Sequence, residues 1–281
     1  MRQFVRHYLL AIQFFTRIPV TGRLAAWVGY SPAMLRASAA HWPGVGVVVG
    51  AWVAGGSWLL LNALPSSAFA PLVVAVLGTV LSVLATGALH EDGLADIADG
   101  LGGGRDRNRA LEIMKDSRVG AFGALALVLV VLTKVSLLAL MGSVSPSWMV
   151  LAIFAAHVVS RTWPLLLIRL MPHVGDATGS KSKLLVDQIS LASLLASGTW
   201  CFMALAPVFI VQVAINFAAV TGHTGMGVVP LFTGTLASIA AFLFMWRLLW
   251  RRLQGFTGDG LGATQQVCEV AFYLGLALAL P

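Results

Sequence analysis

Charge is scarce in this sequence. Asp, Glu, Lys and Arg make up 10% of its 281 residues, 58% are hydrophobic, and the mean hydropathy is +0.88. An ordinary soluble domain carries about 25% charged residues, so a water-soluble globule is excluded. Cysteine is scarcer still, with only Cys201 and Cys268. Both fall in apolar runs, which excludes a disulfide framework or a cysteine metal cluster and leaves them as small core residues. Strict apolar–polar alternation is missing, which excludes a transmembrane β-barrel. Interleaved basic and aromatic residues are missing too, so no nucleic-acid partner is expected. The opening MRQFVRHYLLAIQFFTRIPVTGR starts basic, but its apolar run is short and no small-residue cleavage site follows. An interfacial amphipathic or re-entrant segment over residues 1–36 is expected rather than a signal peptide.

Long apolar runs are abundant. Seven candidate spans fall near residues 41–62, 69–90, 119–141, 148–170, 191–214, 226–246 and 263–280. Runs near 20 residues suit bilayer-crossing helices. The last is the most polar, because it carries Gln265, Gln266 and Glu269. The fold expected is all-α: a polytopic transmembrane helical bundle of about seven spans, forming a single integral-membrane domain over residues 1–281. Lys and Arg cluster before the first span, between the second and third, between the fourth and fifth, and after the sixth. The connectors 63–68, 142–147 and 215–225 have none. The positive-inside rule then places the N-terminus in the cytoplasm. The net charge of +7 follows from that bias and from attraction to anionic lipid.

The acids gather on the same side. HEDGLADIADGLGGG, His90 to Gly104, holds Glu91, Asp92, Asp96 and Asp99 just after an uncharged run. At about 100° per residue, Asp92, Asp96 and Asp99 share one helix face, with Glu91 off it. Gly93, Gly100, Ala95 and Ala98 flank that face, and small flanks permit close approach. Like charges so placed repel unless protonated, solvated or neutralised. Three uses remain open: a divalent-metal site of the Mg²⁺ or Mn²⁺ kind, a proton or ion pathway, and a solvated helix end. GLGGG then breaks the chain, and RDRNRALEIMKDSR follows as a short helix. That helix is either a salt-bridged interfacial element or one folded back over the first. In the latter case Glu112 and Asp116 add ligands and the basic residues bind phosphate. The glycine loop offers backbone N–H groups to phosphates, a weak signal by itself.

HEDGLADIADGLGGG and RALEIMKDSRVGAFGALAL closely resemble the cobamide synthase (adenosylcobinamide-GDP ribazoletransferase, cobalamin 5'-phosphate synthase) family. FFTRIPV, HWPGVGVVVG and TGDGLGATQQVCE resemble it as well, so the likeness covers most of the chain. The resemblance implies a multi-pass enzyme of the cytoplasmic (inner) membrane with its active site, residues 90–118, facing the cytoplasm. It implies transfer between adenosylcobinamide-GDP and α-ribazole or its 5'-phosphate, release of GMP, and a requirement for Mg²⁺. Asp92, Asp96, Asp99 and Asp116 are the expected metal ligands, with Glu91 or Asp116 as base. Arg105, Arg109, Lys115 and Arg118 are expected to hold phosphate, and Asp259, Gln265 and Glu269 to face substrate. Asp96-x-x-Asp99-Gly100 and Glu112-x-x-x-Asp116 echo CDP-alcohol phosphotransferases. The intervening segment is shorter, however, Glu112 replaces an aspartate, and that pattern's Ala-Arg pair is missing. The alternatives are a phospholipid synthase of that kind and an ion-coupled transporter; homo-oligomerisation stays open. Within the spans, Arg161 is expected to line the cavity or pair with Glu269, Lys134 to snorkel outward, and His41 to be a hydrogen-bonded interfacial residue.

Overall fold

The computed structural model describes residues 2–104, 106–175, 189–219 and 229–280. It is an all-α polytopic bundle. Three short helices open the chain: α1 (Arg2–Phe15), α2 (Gly22–Val28) and α3 (Pro32–Ser38). A 3₁₀ turn joins α3 to α4 (Trp42–Ala63). Then come α5 (Ala70–Thr86), α6 (Leu89–Gly103), α7 (Arg107–Ile113) and α8 (Ala121–Val144). The chain continues through α9 (Pro146–Ser160), α10 (Trp163–Leu170), α11 (Leu191–Ala219), α12 (Val229–Leu253) and α13 (Gly258–Ala277).

Among the described residues, five helical runs are long and apolar enough to cross a bilayer: Pro32–Ala63, Ala121–Val144, Pro146–Leu170, Leu191–Ile210 and Val229–Leu253. A sixth arises if α5 and α6, bent by 92°, count as one broken span. The sequence expectation differs at two places. The span expected to reach residue 90 stops at Thr86, leaving α5 with 17 residues. Gly87 and Ala88 both take left-handed φ, 68° and 59°, and turn the chain. Positive φ is open to glycine but unusual for alanine. The expected seventh span, α13, is not apolar enough to count among these runs. It packs against α12, α6, α9 and α8, so Gln265, Gln266 and Glu269 are buried against protein.

The surface is apolar where the core is not. Trp52, Leu84, Leu125, Leu132, Phe202 and Phe232 are exposed, while His157, Arg161, Lys134 and Glu269 are buried. That inversion suits a chain whose solvent is lipid, where a charge survives only inside. Several basic-rich connectors meet at one end. Arg17 N–H donates to the Ala85 carbonyl at 2.7 Å. Arg107 Nε donates to Leu253 O at 2.8 Å, and Arg252 Nη2 reaches Leu101 O and Gly104 O at 3.0 and 2.8 Å. Phe256 N–H donates to Pro172 O, and Val174 N–H to Phe256 O, both at 2.9 Å.

The helix α6 runs through most of GLGGG rather than breaking there, ending at Gly103. These glycines serve packing: a Cβ on Gly100 would meet Met114 Cγ at 2.5 Å, and one on Gly104 would meet Ala110 at 2.7 Å. The second acidic segment, α7, therefore does fold back onto α6.

Candidate active site

The site begins at the α5–α6 bend. The Arg17 side chain occupies the space a Cβ on Gly87 would need, so the FFTRIPV segment is wedged into the turn. Beyond the turn, α6 runs beside the first turn of α13. A Cβ on Gly93 would lie 2.8 Å from the Asp259 carbonyl oxygen, and one on Gly262 would lie 3.3 Å from His90 Cα. Small residues on both helices thus let two acidic first turns meet. Thr257 caps α13 by accepting the Gly260 N–H at 3.0 Å, which frees the Asp259 carboxylate from capping.

A cavity of about 290 Å³ opens at this junction. Asp92 and His90 of α6 and Asp259, Gly262 and Gln265 of α13 line one part of its wall. Phe14, Phe15, Trp42 and Val45 supply apolar lining, and Arg161 adds a guanidinium. Asp92 is exposed, and Asp96 and Asp259 are half-buried. Asp96 lies within electrostatic reach of Asp259, Asp92 and Asp99. The like charges found by helical-wheel reasoning are therefore real neighbours, and Asp259 joins them from another helix.

Asp99 is used differently. It is buried, and its carboxylate accepts the Gly120 N–H at 2.7 Å and the Gly123 N–H at 2.8 Å. It caps α8 from outside, at the positive end of the helix dipole. A Cβ at Gly120 or Gly123 would collide with that carboxylate. Of the three-aspartate face, Asp92 and Asp96 retain carboxylates that are not tied to a helix end.

The residues of α7 and of the segment after it, 114–118, lie off the cavity wall. Arg109 pairs with Glu112 at 2.7 Å and Arg118 with Asp116 at 2.6 Å, both in exposed settings. The Arg118 hydrogen bonds hold the Asp116 carboxyl down to about 2. Lys115 is exposed and engaged elsewhere. Arg105 lies outside the described residues.

Glu269 is sealed in the bundle core rather than on the wall. It accepts from Lys134 Nζ at 2.5 Å, Gln265 Nε2 at 2.6 Å and Tyr273 Oη at 3.2 Å. The expectation that Lys134 snorkels outward is corrected: it is 3% exposed and bound to Glu269. Burying the pair together satisfies both charges where lipid would satisfy neither. Lys134 has thereby taken the partner expected for Arg161. Gln265 lines the cavity, but its amide donates to Ser160 Oγ and Glu269 and accepts from Gln266. Glu91 accepts from Gln266 Nε2 at 3.1 Å, and its other oxygen is buried without a partner among the described residues. His41 accepts from Trp200 Nε1 at 3.0 Å, an aromatic contact rather than a ligand position.

Among the described residues, no three His, Cys, Asp or Glu side chains are grouped to hold a metal ion. Mg²⁺ commonly binds through one or two carboxylates plus substrate phosphates and water. The oxygen-only set of Asp92 and Asp96, with Asp259 beside it, fits that mode. Sequence reasoning missed His90 and the aromatics Phe14, Phe15 and Trp42 as wall residues. The paired Phe14–Phe15 within FFTRIPV was a signal available for them.

Residues 7–277 match the family described as Cobalamin-5-phosphate synthase. The chain is similar to the adenosylcobinamide-GDP ribazoletransferase of Albidiferax ferrireducens, 65% identical across the whole of both chains. It is 57% identical to the protein of that name from Polaromonas naphthalenivorans, again across both whole chains. With the Vibrio cholerae protein of that name it shares 38% identity over 95% of this chain and 91% of the other. No solved structure matches. The chain belongs to the Cobalamin-5-phosphate synthase family.

Proposed function

We propose that this chain joins adenosylcobinamide-GDP to α-ribazole, or to its 5'-phosphate, with release of GMP. The reaction is placed at the cytoplasmic face of the cytoplasmic membrane. The observation that carries the reading is the cavity at the α6–α13 junction, where Asp92 and Asp259 share a wall with apolar side chains and Arg161. Family membership and the names of the close relatives supply the substrates. The basic residues gathered at the same end support the cytoplasmic assignment through the positive-inside rule.

The acceptor's ribose hydroxyl attacks a phosphorus of the donor diphosphate. A new P–O bond forms, the bond to GMP breaks, and the hydroxyl proton passes to a base. Asp92 and Asp96 would hold Mg²⁺, which when bound offsets the charge of the diphosphate and of the departing GMP. The base must lie within hydrogen-bond reach of the hydroxyl. Asp116 is turned to Arg118 at the surface, and Glu91 is turned to Gln266. Asp259 is the carboxylate on the wall beside the metal pair, and we assign it the proton. The apolar wall of Phe14, Phe15 and Trp42 keeps water from competing with the acceptor.

The test is GMP release from adenosylcobinamide-GDP and α-ribazole by the purified full chain in lipid nanodiscs with Mg²⁺. Metal-dependent GMP formation is expected. Turnover of CDP-diacylglycerol instead would move the chain to the phospholipid-synthase reading. Ion flux in proteoliposomes without nucleotide product would move it to the transporter reading.

A further inference from the structure

Among the described residues, Arg161 is the one Lys or Arg on the cavity wall. It ends α9 where the helix gives way to α10, and it is 3% exposed. Its Nη1 donates to the His157 carbonyl at 3.0 Å and meets His157 Nδ1 at 2.9 Å. Because Nη1 can only donate, Nδ1 accepts, and the His157 ring is neutral there. The Arg161 Nε is buried and, among the described residues, has no hydrogen-bond partner. Among the described residues, Arg161 forms no contact ion pair: Glu269 and Glu91 lie within its electrostatic reach, but Glu269 is hydrogen-bonded to Lys134 and Gln265 and Glu91 to Gln266. A buried guanidinium with no carboxylate at contact distance is incompletely compensated, and an anion entering the cavity can supply that contact.

The arrangement around it is built rather than accidental. Gln265, on the same wall, donates to Ser160, the neighbour of Arg161, and to Glu269. Lys134 fixes Glu269 from α8. His157 holds the guanidinium by Nη1, and among the described residues Nε has no hydrogen-bond partner. A planar guanidinium matches the geometry of phosphate oxygens. An anionic donor entering this cavity also meets Asp92 and Asp259, so a fixed cation on the wall offsets their repulsion.

We propose that Arg161 binds phosphate oxygens of the donor diphosphate directly, without a metal ion between them. His157, Gln265, Glu269 and Lys134 are positioning residues for it. The inference rests on the transfer reading above and adds a binding residue to it.

The test uses the full chain in nanodiscs, in EDTA, with inorganic pyrophosphate as the probe. Wild type is expected to bind pyrophosphate and gain thermal stability from it. Arg161→Gln is expected to weaken that binding at least tenfold. With Mg²⁺ present, Arg161→Gln is expected to raise the donor KM by a similar factor and leave the acceptor KM unchanged. Arg161→Lys keeps the charge but loses the fork, and is expected to fall between the two. If Arg161→Gln does not fold, Arg161→Lys decides alone: pyrophosphate binding at least threefold weaker, with unchanged ligand-free Tm, supports the site. Equal pyrophosphate affinity in wild type and either folded variant overturns the inference, as does no metal-free binding by wild type. Normal GMP release by wild type alongside either result would leave the transfer reading standing. Pyrophosphate binding through Arg161 without GMP release would sink the transfer reading instead.

Discussion

Two carboxylates on α13 show the same functional group in opposite settings. Asp259 sits in the first turn, half-buried on a cavity wall beside Asp92 and Asp96, and among the described residues it has no Lys or Arg ion-pair partner. Glu269 sits further along the same helix, fully enclosed, with a lysine, an amide and a phenol on its oxygens. The first carries charge that a ligand must answer. The second has its charge answered by the protein. The contrast recurs within α6, where Asp92 is exposed on the wall and Asp99 is committed to two backbone N–H groups of α8. Sequence proximity to the acidic motif does not decide which kind a carboxylate is; the neighbouring helix does.

Removing Glu269 attacks the answered side of the comparison and should have the largest effect on stability. Glu269→Gln leaves Lys134 buried without its counter-charge and should cost about 3–5 kcal/mol, read by denaturant or thermal unfolding in nanodiscs. Adding Lys134→Met should recover a good part of it, since the two charges then vanish together. A Glu269→Gln protein of normal stability would break the comparison.

Asp92→Asn attacks the unanswered side. Turnover should fall by about 10²- to 10³-fold and the Mg²⁺ concentration for half-activity should rise. Stability should stay within roughly 0.5 kcal/mol of wild type, because among the described residues no cap hydrogen bond or ion pair involves this group. Asp99→Ala sharpens the contrast within one helix: it should cost about 2 kcal/mol by uncapping α8, and unfolding should report it directly.

The smallest effect is expected in the exposed segment that follows α7. Asp116→Asn should change neither Tm nor turnover measurably, since solvent screens its pair with Arg118. The sign of its titration is fixed. The folded pKa is depressed to about 2, so whatever the pair contributes is present above the unfolded carboxyl range and is lost as pH falls through the folded value. Arg118→Ala should return Asp116 toward the ordinary value of about 3.9, which NMR titration would read.

Much of this was legible in the sequence. Apolar run lengths located the long helices, and the wheel placed Asp92 and Asp96 on a shared face. Small flanks announced the close contact that Gly93 makes with α13. What stayed hidden was set by partners distant in sequence. Lys134 and Glu269 stand 135 residues apart, and no local pattern links them. The run 263–280 reads as a span, and no local pattern shows that Gln265, Gln266 and Glu269 on it are buried against other helices. The bend at Gly87–Ala88 was masked because the apolar run continues through it to Leu89. Asp99 shares its wheel direction with Asp92, but the wheel cannot show that the glycines opening α8 stand opposite it.

On the proposed reading, the reaction occurs on the α6–α13 cavity wall and Asp259 takes the acceptor's proton. The direct test is the rate of GMP release from adenosylcobinamide-GDP by Asp259→Asn, compared with wild type in nanodiscs of matched Tm. A loss of at least about 100-fold is predicted, in keeping with removal of a general base. Release at a near-wild-type rate would rule out Asp259 as the base.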